Sequence, residues 1–378
     1  MGNTSNTARA LLAAILRGDP WPRAELQKLI EGEAPELFSI VAEGLADQFE
    51  PRLAQPYAEM FAEVIASAIP EFDPADLVAR YHRIRHPRQL TGDPSTVFVL
   101  SRVTLGADIA ITSVILDGLK RRLPRARIVF AGPRKSYELF AADPRIEHLP
   151  ISYARRIAIP VELNEPGSIV VDPDSRITQL GLLPVCPEES YYFFDTHAWE
   201  GSESLGCMAR NWVAQTFGVP DARAYIAPAE HPEGAAIAVS LGVGGNPAKR
   251  VEDPFESELL KALAAKADVI VDAGAGGEEA ARVRRAIGNL PIRTWQGSFA
   301  GFASIIGRSR LYAGYDSAGQ HAAAACGVPV VTVFAGAPNE RFRQRWRPTG
   351  PGPVEIVAAG PRVLEDTLAA VDRLFTAA

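Results

Sequence analysis

Residues 310–347, RLYAGYDSAGQHAAAACGVPVVTVFAGAPNERFRQRWR, carry the pattern that decides the fold. Residues 311–314 predict a short buried strand, 316–319 a turn, 321–326 a small-residue helix and 329–334 a second strand. A turn opening onto an alanine-rich helix lets a ligand approach backbone N–H groups, and the helix N-terminus favours negative charge. The same residues also read more plainly. Any open α/β sheet contains strand, turn, helix and strand, with Asp and Ser serving only as caps.

Upstream, predicted strands at 235–241, 268–272 and 291–295 alternate with predicted helices at 255–266, 278–287 and 299–309, which makes the motif the end of an α/β unit. An earlier unit begins at 96–100, TVFVL, a β-rich run of the length of a buried parallel strand. Helices at 109–123 and 136–142 alternate there with strands at 127–131, 146–149 and 168–172, and right-handed crossovers follow from that order. A further strand at 191–195 and a helix at 204–217 close this unit. Before it, 8–17, 23–31, 36–47, 57–68 and 74–82 have helical periodicity, punctuated by prolines 20, 22, 51, 56, 70 and 74. The expected division is a helical extension over 1–90, an α/β domain over 91–222, a second over 223–352, and a C-terminal helix within 353–378, an element that in similar two-domain proteins crosses back to the first domain.

At 378 residues, 47% hydrophobic and 22% charged, the composition is that of a globular protein with room for several domains. A net charge of −6 argues against a nucleic-acid partner. Cys186, Cys207 and Cys326 have neither metal-ligand spacing nor a disulfide-framework count, so a reducing, cytoplasmic setting is expected. No run approaches the roughly 20 apolar residues of a membrane span. The basic run Tyr81–Arg88 suits contact with an anionic membrane, or simply a solvated linker.

Asp316-Ser317-x-Gly319-x-His321, followed by alanines, GVPVVTVF and an Arg/Trp/Pro tail, resembles the nucleotide-sugar half of glycosyltransferase family 9, which contains the ADP-heptose:lipopolysaccharide heptosyltransferases. The family pattern is Asp-Ser/Thr-Gly-x-x-His, and here glycine falls one place later. Arg102-Val-Thr-Leu-Gly106-Ala-Asp108, with Thr112 four residues on, resembles the family's first loop, with its glycine one place early. The resemblance covers about residues 95–350. It implies a GT-B-type α/β fold of two Rossmann-like domains facing across a cleft. It also implies an inverting, metal-independent transfer from an ADP-heptose-like nucleotide sugar to a hydroxyl of a glycan, glycolipid or protein, with no cofactor.

By this resemblance Asp108 is the general base, and a carboxylate suits deprotonation of a sugar hydroxyl. The same Asp reads equally as a helix cap. Lys249 and Arg250, after the glycine-rich 242–248 loop, are implied to hold the donor diphosphate together with Asp316, Ser317, Gly319 and His321. Glu278 is implied to hold the ribose, although acidic residues open many helices. Arg341, Arg343 and Arg345 are secondary candidates. Arg102, Arg134, Arg155, Arg156, Arg176 and Gln179 are candidate acceptor anchors. Asp172-Pro-Asp174 has the form of a metal-binding DxD but reads as a structural turn, so no metal site is expected. Alternatives are a non-catalytic nucleotide- or carbohydrate-binding protein on the same scaffold, a nucleotide-sugar epimerase, or an assembly component acting through the helical extension.

Overall fold

The computed structural model describes residues 2–20, 22–152, 162–197, 199–244, 246–274 and 276–377. Two wholly parallel sheets form its frame. The first comprises β1 (Thr96–Leu100), β2 (Arg127–Gly132), β3 (Ile146–Pro150), β4 (Ser168–Asp172) and β5 (Tyr191–Phe193), ordered β3-β2-β1-β4-β5. The second comprises β6 (Ile237–Ser240), β7 (Val269–Asp272), β8 (Arg293–Trp295), β9 (Leu311–Tyr315), β10 (Val330–Phe334) and β11 (Val354–Ala358), ordered β11-β10-β9-β6-β7-β8. This two-sheet α/β architecture agrees with the sequence expectation.

Side chains alternate across the first sheet because successive Cβ atoms point to opposite faces. Val97, Val99, Ile128, Phe130 and Val171 meet the helices Ser113–Arg122 and Leu205–Phe217 on one face. Phe98, Leu100, Val129, Ala131, Val170, Tyr191 and Phe193 point the other way. Right-handed connections from β3 to β4 and from β4 to β5 run over this second face. Their described residues include no α-helix, only a short turn at Glu188–Ser190. The N-terminal helices fill the vacancy. Helices Gly2–Arg17, Arg23–Glu31, Ala54–Ala68 and Pro74–Ile84 place Leu11, Leu26, Tyr57, Phe61, Leu77 and Tyr81 in one core with the strand residues. The segment expected as an extension is therefore a layer of the first half.

Its basic end is consumed internally. Arg83 forms a bidentate pair with Glu188, Arg85 pairs with Asp195 at 2.9 Å, and Arg88 donates to the carbonyls of Glu188, Glu189 and Tyr191. These pairs tie the run to the β5 edge, while His82, Arg83, His86 and Arg88 remain exposed. Among the described residues no helix is long and apolar enough to cross a membrane.

The C-terminal expectation also changes. Residues 354–358 add β11 to the second sheet, and the helix Val363–Ala377 packs Val363, Ala370, Val371 and Leu374 onto that sheet instead of crossing back. Val, Glu, Ile, Val and Ala give β11 a half-buried edge-strand pattern.

Burying the six larger side chains of the second face is worth about 1.5–3 kcal/mol each, on the order of 10–15 kcal/mol together. This matches the whole net stability of a typical domain. A chain beginning at residue 89 should consequently lose cooperative unfolding and bind a hydrophobic dye, as read by thermal denaturation and fluorescence. A truncated protein with a sharp transition and no dye binding would refute the layer's role.

Candidate functional site

In an open parallel sheet, ligands bind beyond the carboxyl ends of strands where strand order reverses. In the second sheet the reversal lies between β6 and β9, and the turns that follow them carry Lys249 and Asp316. Asn246 caps the short Pro247–Lys249 turn, which aims Lys249 at the end of β9. Its Nζ lies 2.8 Å from Asp316 Oδ2. The other carboxylate oxygen accepts from Gln320 Nε2 at 2.6 Å, and Gln320 also donates to the Trp346 carbonyl at 3.3 Å.

Beside this pair begins the helix Ala318–Ala325. Ser317, its extended N-cap, makes no side-chain cap bond, leaving first-turn N–H groups without a side-chain acceptor. The Ser317 and Tyr312 hydroxyls lie near each other without a hydrogen bond of good geometry. Gly319 is buried, and a β-carbon there would collide with the Tyr312 ring and hydroxyl. The tyrosine beneath it leaves no room for a side chain at this position. Burial, with a smaller contribution from Lys249, pushes His321 down to about 3. It is neutral near pH 7 and contributes no cationic contact to a phosphate.

Other expected donor residues separate. Arg250 lies 3.4 Å from Glu256, which is 1% exposed and also takes Arg282 and the Tyr315 hydroxyl, so Arg250 belongs to a structural ion cluster. Glu278 is exposed and makes no hydrogen bond or ion pair with the strand ends among the described residues. Its neighbour Glu279 lies over Gly242 and Gly274, where β6 and β7 end; a β-carbon on Gly242 would sit 3.2 Å from its Oε1. Glu279 is the carboxylate placed where the ribose contact was expected. One helical step, about 100°, separates the two positions.

The first sheet reverses between β1 and β4. There Arg102 donates to the Pro173 carbonyl at 2.8 Å and pairs with Asp174 at 3.2 Å. Asp108 is 0% exposed. Its carboxylate accepts from Ser101 Oγ at 2.7 Å, Arg102 N at 2.7 Å and Thr112 Oγ1 at 2.9 Å. Burial raises its pKa while these bonds oppose the rise. In this arrangement Asp108 anchors the 101–108 turn. Gly106 brings that turn against the opposite half, where a β-carbon would lie 3.4 Å from Ala318 Cα and from the His321 ring, an ordinary contact distance.

The Asp172-Pro-Asp174 turn has the structural form expected. Asp172 accepts from Ser175 N, Thr178 and Tyr191, and Asp174 takes Thr196 as well as Arg102. Among the described residues no three His, Cys, Asp or Glu side chains gather as a metal site would require. Arg134 is exposed and pairs with Glu138. Arg155 and Arg156 lie outside the described residues. Arg341 donates to the Phe49 carbonyl, Arg343 pairs with Glu340, and buried Arg345 donates to the carbonyls of Trp199 and Glu203, so these three stitch structure together.

Arg176 and Gln179 do meet, lining a cavity with residues of the N-terminal helices. Asp47, absent from the sequence expectation, is half-buried and follows Ala46, which lines the cavity. Burial pushes Asp47 up to about 6, with Lys249 and Arg176 opposing and Glu43 and Asp316 reinforcing. Helical periodicity marks 36–47 as amphipathic but does not tell which polar position turns toward a cleft.

No protein-family model and no curated protein sequence matches the chain. Solved structures do, and they are family 9 glycosyltransferases with heptosyltransferases among them. The glycosyl transferase family 9 protein from Veillonella parvula superposes with a TM-score of 0.56 at 15% identity, covering 77% of this chain and 99% of that one. E. coli heptosyltransferase WaaC, solved with ADP, gives 0.59 at 13% identity over 75% of this chain and 100% of its own. E. coli ADP-heptose lps heptosyltransferase II gives 0.52 at 16% identity over 75% and 99%. At such identities the likeness establishes a shared fold.

The His321 environment fixes one pH dependence. Because the fold holds His321 neutral while the unfolded chain protonates near pH 6.5, the unfolded state binds more protons below that pH, and stability falls as pH drops from 6.5 toward 3. The slope reaches about 1.4 kcal/mol per pH unit. Urea unfolding of His321→Asn should show a shallower acid loss between pH 7 and 4.5 than the parent. Parallel curves would refute it.

Proposed function

We propose that this chain is a glycosyltransferase that moves a sugar from a nucleoside diphosphate donor to a hydroxyl of a glycan or glycolipid, with inversion and without a metal. The observation that carries this reading is the Lys249–Asp316 pair beside the uncapped start of helix Ala318–Ala325, at the switch point of the second sheet. An ammonium and free helix-terminal N–H groups suit a diphosphate, and they stabilise the charge that grows on the departing nucleotide. The fold is shared with WaaC, a structure solved with ADP and also with ADP-2-deoxy-2-fluoro heptose. An ADP-sugar is accordingly the first donor class to test. Glu279 takes the ribose role, and the cytoplasm is the setting in which nucleotide sugars are available.

A second reading, a binding protein without catalysis, is favoured by one specific observation. Asp108 is sealed, and it is the residue that the resemblance implies as base. Nucleotide binding to the fold raises its apparent stability. A thermal-shift series with ADP, GDP, UDP and dTDP, with and without Mg²⁺, should give one metal-independent rise in Tm. Lys249→Ala should weaken that ligand by about 10-fold or more, as expected for loss of a charge-assisted contact. Absence of any shift would overturn nucleotide recognition, and binding without transfer to any acceptor would establish the second reading.

A further inference from the structure

Tyr312 stands on β9, one of the two strands flanking the switch point of the second sheet, and is 0% exposed. Its hydroxyl lies beneath the first turn of the helix Ala318–Ala325. A β-carbon on either Gly314 or Gly319 would collide with it, so the hydroxyl occupies a space that two positions without side chains leave open. A phenylalanine ring would pack the same core without carrying a polar atom into it. The hydroxyl therefore calls for an account that packing does not give.

Tyr312 Oη has no hydrogen bond among the described residues, and neither has the buried Oγ of neighbouring Ser317. A buried hydroxyl without a partner gives up its water and gains nothing in return, and few such groups persist in native proteins. Here two of them lie side by side. Ser317 departs from a local rule as well. It is the N-cap of the helix, where a serine ordinarily accepts from a backbone N–H, yet it makes no side-chain cap bond. Local rules broken without a packing gain point to a functional site. One anionic oxygen in front of the helix satisfies both groups at once: Ser317 donates to it, and the Ser317 oxygen accepts from Tyr312.

We infer that Tyr312 is a positioning residue for the diphosphate: its hydroxyl donates to Ser317 Oγ and thereby orients the Ser317 O–H toward a phosphate oxygen. The inference rests on the nucleotide-binding part of the reading above and deepens it at the same site. Hydrogen bonds in series polarise one another, and a bond to a charged oxygen is stronger than one between neutral groups. A hydroxyl behind Ser317 thus raises affinity for a ligand that it never touches. Burial raises the Tyr312 pKa, so the group keeps its proton near neutral pH and is available as a donor. In this division of labour Lys249 supplies positive charge and the two hydroxyls supply direction.

Calorimetric titration of the full-length protein with inorganic pyrophosphate, ADP, GDP, UDP and dTDP tests this. Tyr312→Phe removes the hydroxyl and keeps the ring. It should bind the tightest of these probes about 2–10-fold more weakly, the range of one neutral hydrogen bond. The Tm of the ligand-free variant should stay level or rise, because a buried unpaired hydroxyl is gone. Ser317→Ala should weaken the same probe about 10-fold or more, as a charge-assisted bond is lost. In the double variant Tyr312→Phe should cost nothing further, because its effect passes through Ser317. Unchanged affinity in Tyr312→Phe overturns the role of Tyr312, as does a ligand-free Tm several degrees below the parent or a double variant whose losses multiply. A parent that binds none of the probes overturns the nucleotide reading and this inference with it, whereas a parent that binds one and is matched by Tyr312→Phe overturns the inference alone.

Discussion

Apolar burial of the first sheet's second face is the constraint on which this structure depends. In a doubly wound sheet the crossovers normally supply helices to both faces. Here the described connections after β3 and β4 supply loops, while Phe98, Leu100, Val170 and Phe193 still need cover. The N-terminal helices provide it, and their docking carries the chain from the sheet to the mouth of the cleft. Residues 47–49 lie there only because Leu45 and Leu53 on either side are held in the core.

Electrostatics then divides the acidic and basic side chains into two populations. Asp108, Asp172 and Asp174 are sealed at the first sheet's strand ends, where nearby donors bind them and they fix turns, with Asp174 Oδ1 alone left without a partner among the described residues. Glu43 remains partly open beside a cavity, and Asp47 is half-buried. The arginines divide likewise. Those at 83, 85 and 88 clamp the helical layer to the β5 edge, and Arg345 joins the two halves. Arg176 is left to face open space. Chemistry in this protein is therefore expected where the charges are unspent.

The regular parts of this arrangement were legible in the sequence because they rest on local periodicity. The β-rich run at 96–100 and the helical spacing before residue 90 both report burial of a face. What lies against that face is a long-range fact. Amphipathicity in 57–68 shows one apolar side and says nothing of its partner. Lys249 and Asp316 were each readable as candidates, but their pairing joins turns 67 positions apart. The choice between Glu278 and Glu279 turns on helix phase relative to Gly242 and Gly274, which no spacing within 272–279 reveals. The strand at 354–358 was missed because an edge strand shows only weak alternation. For Asp108, the spacing to Arg102 and Thr112 fits an anchor as well as a base, since both residues donate to it.

Gln48 accepts from Asn339 at 2.9 Å, Arg341 holds the Phe49 carbonyl at 3.1 Å, and the Phe49 ring sits among His197, Phe342 and Trp346. Phe49 adopts a left-handed backbone, φ 52°, to reach that position. One short segment thus behaves as a bolt passing through both halves. Hinge opening has to withdraw this ring and break both bonds before the halves part. Parting the halves therefore carries the combined cost of an aromatic cluster and two hydrogen bonds.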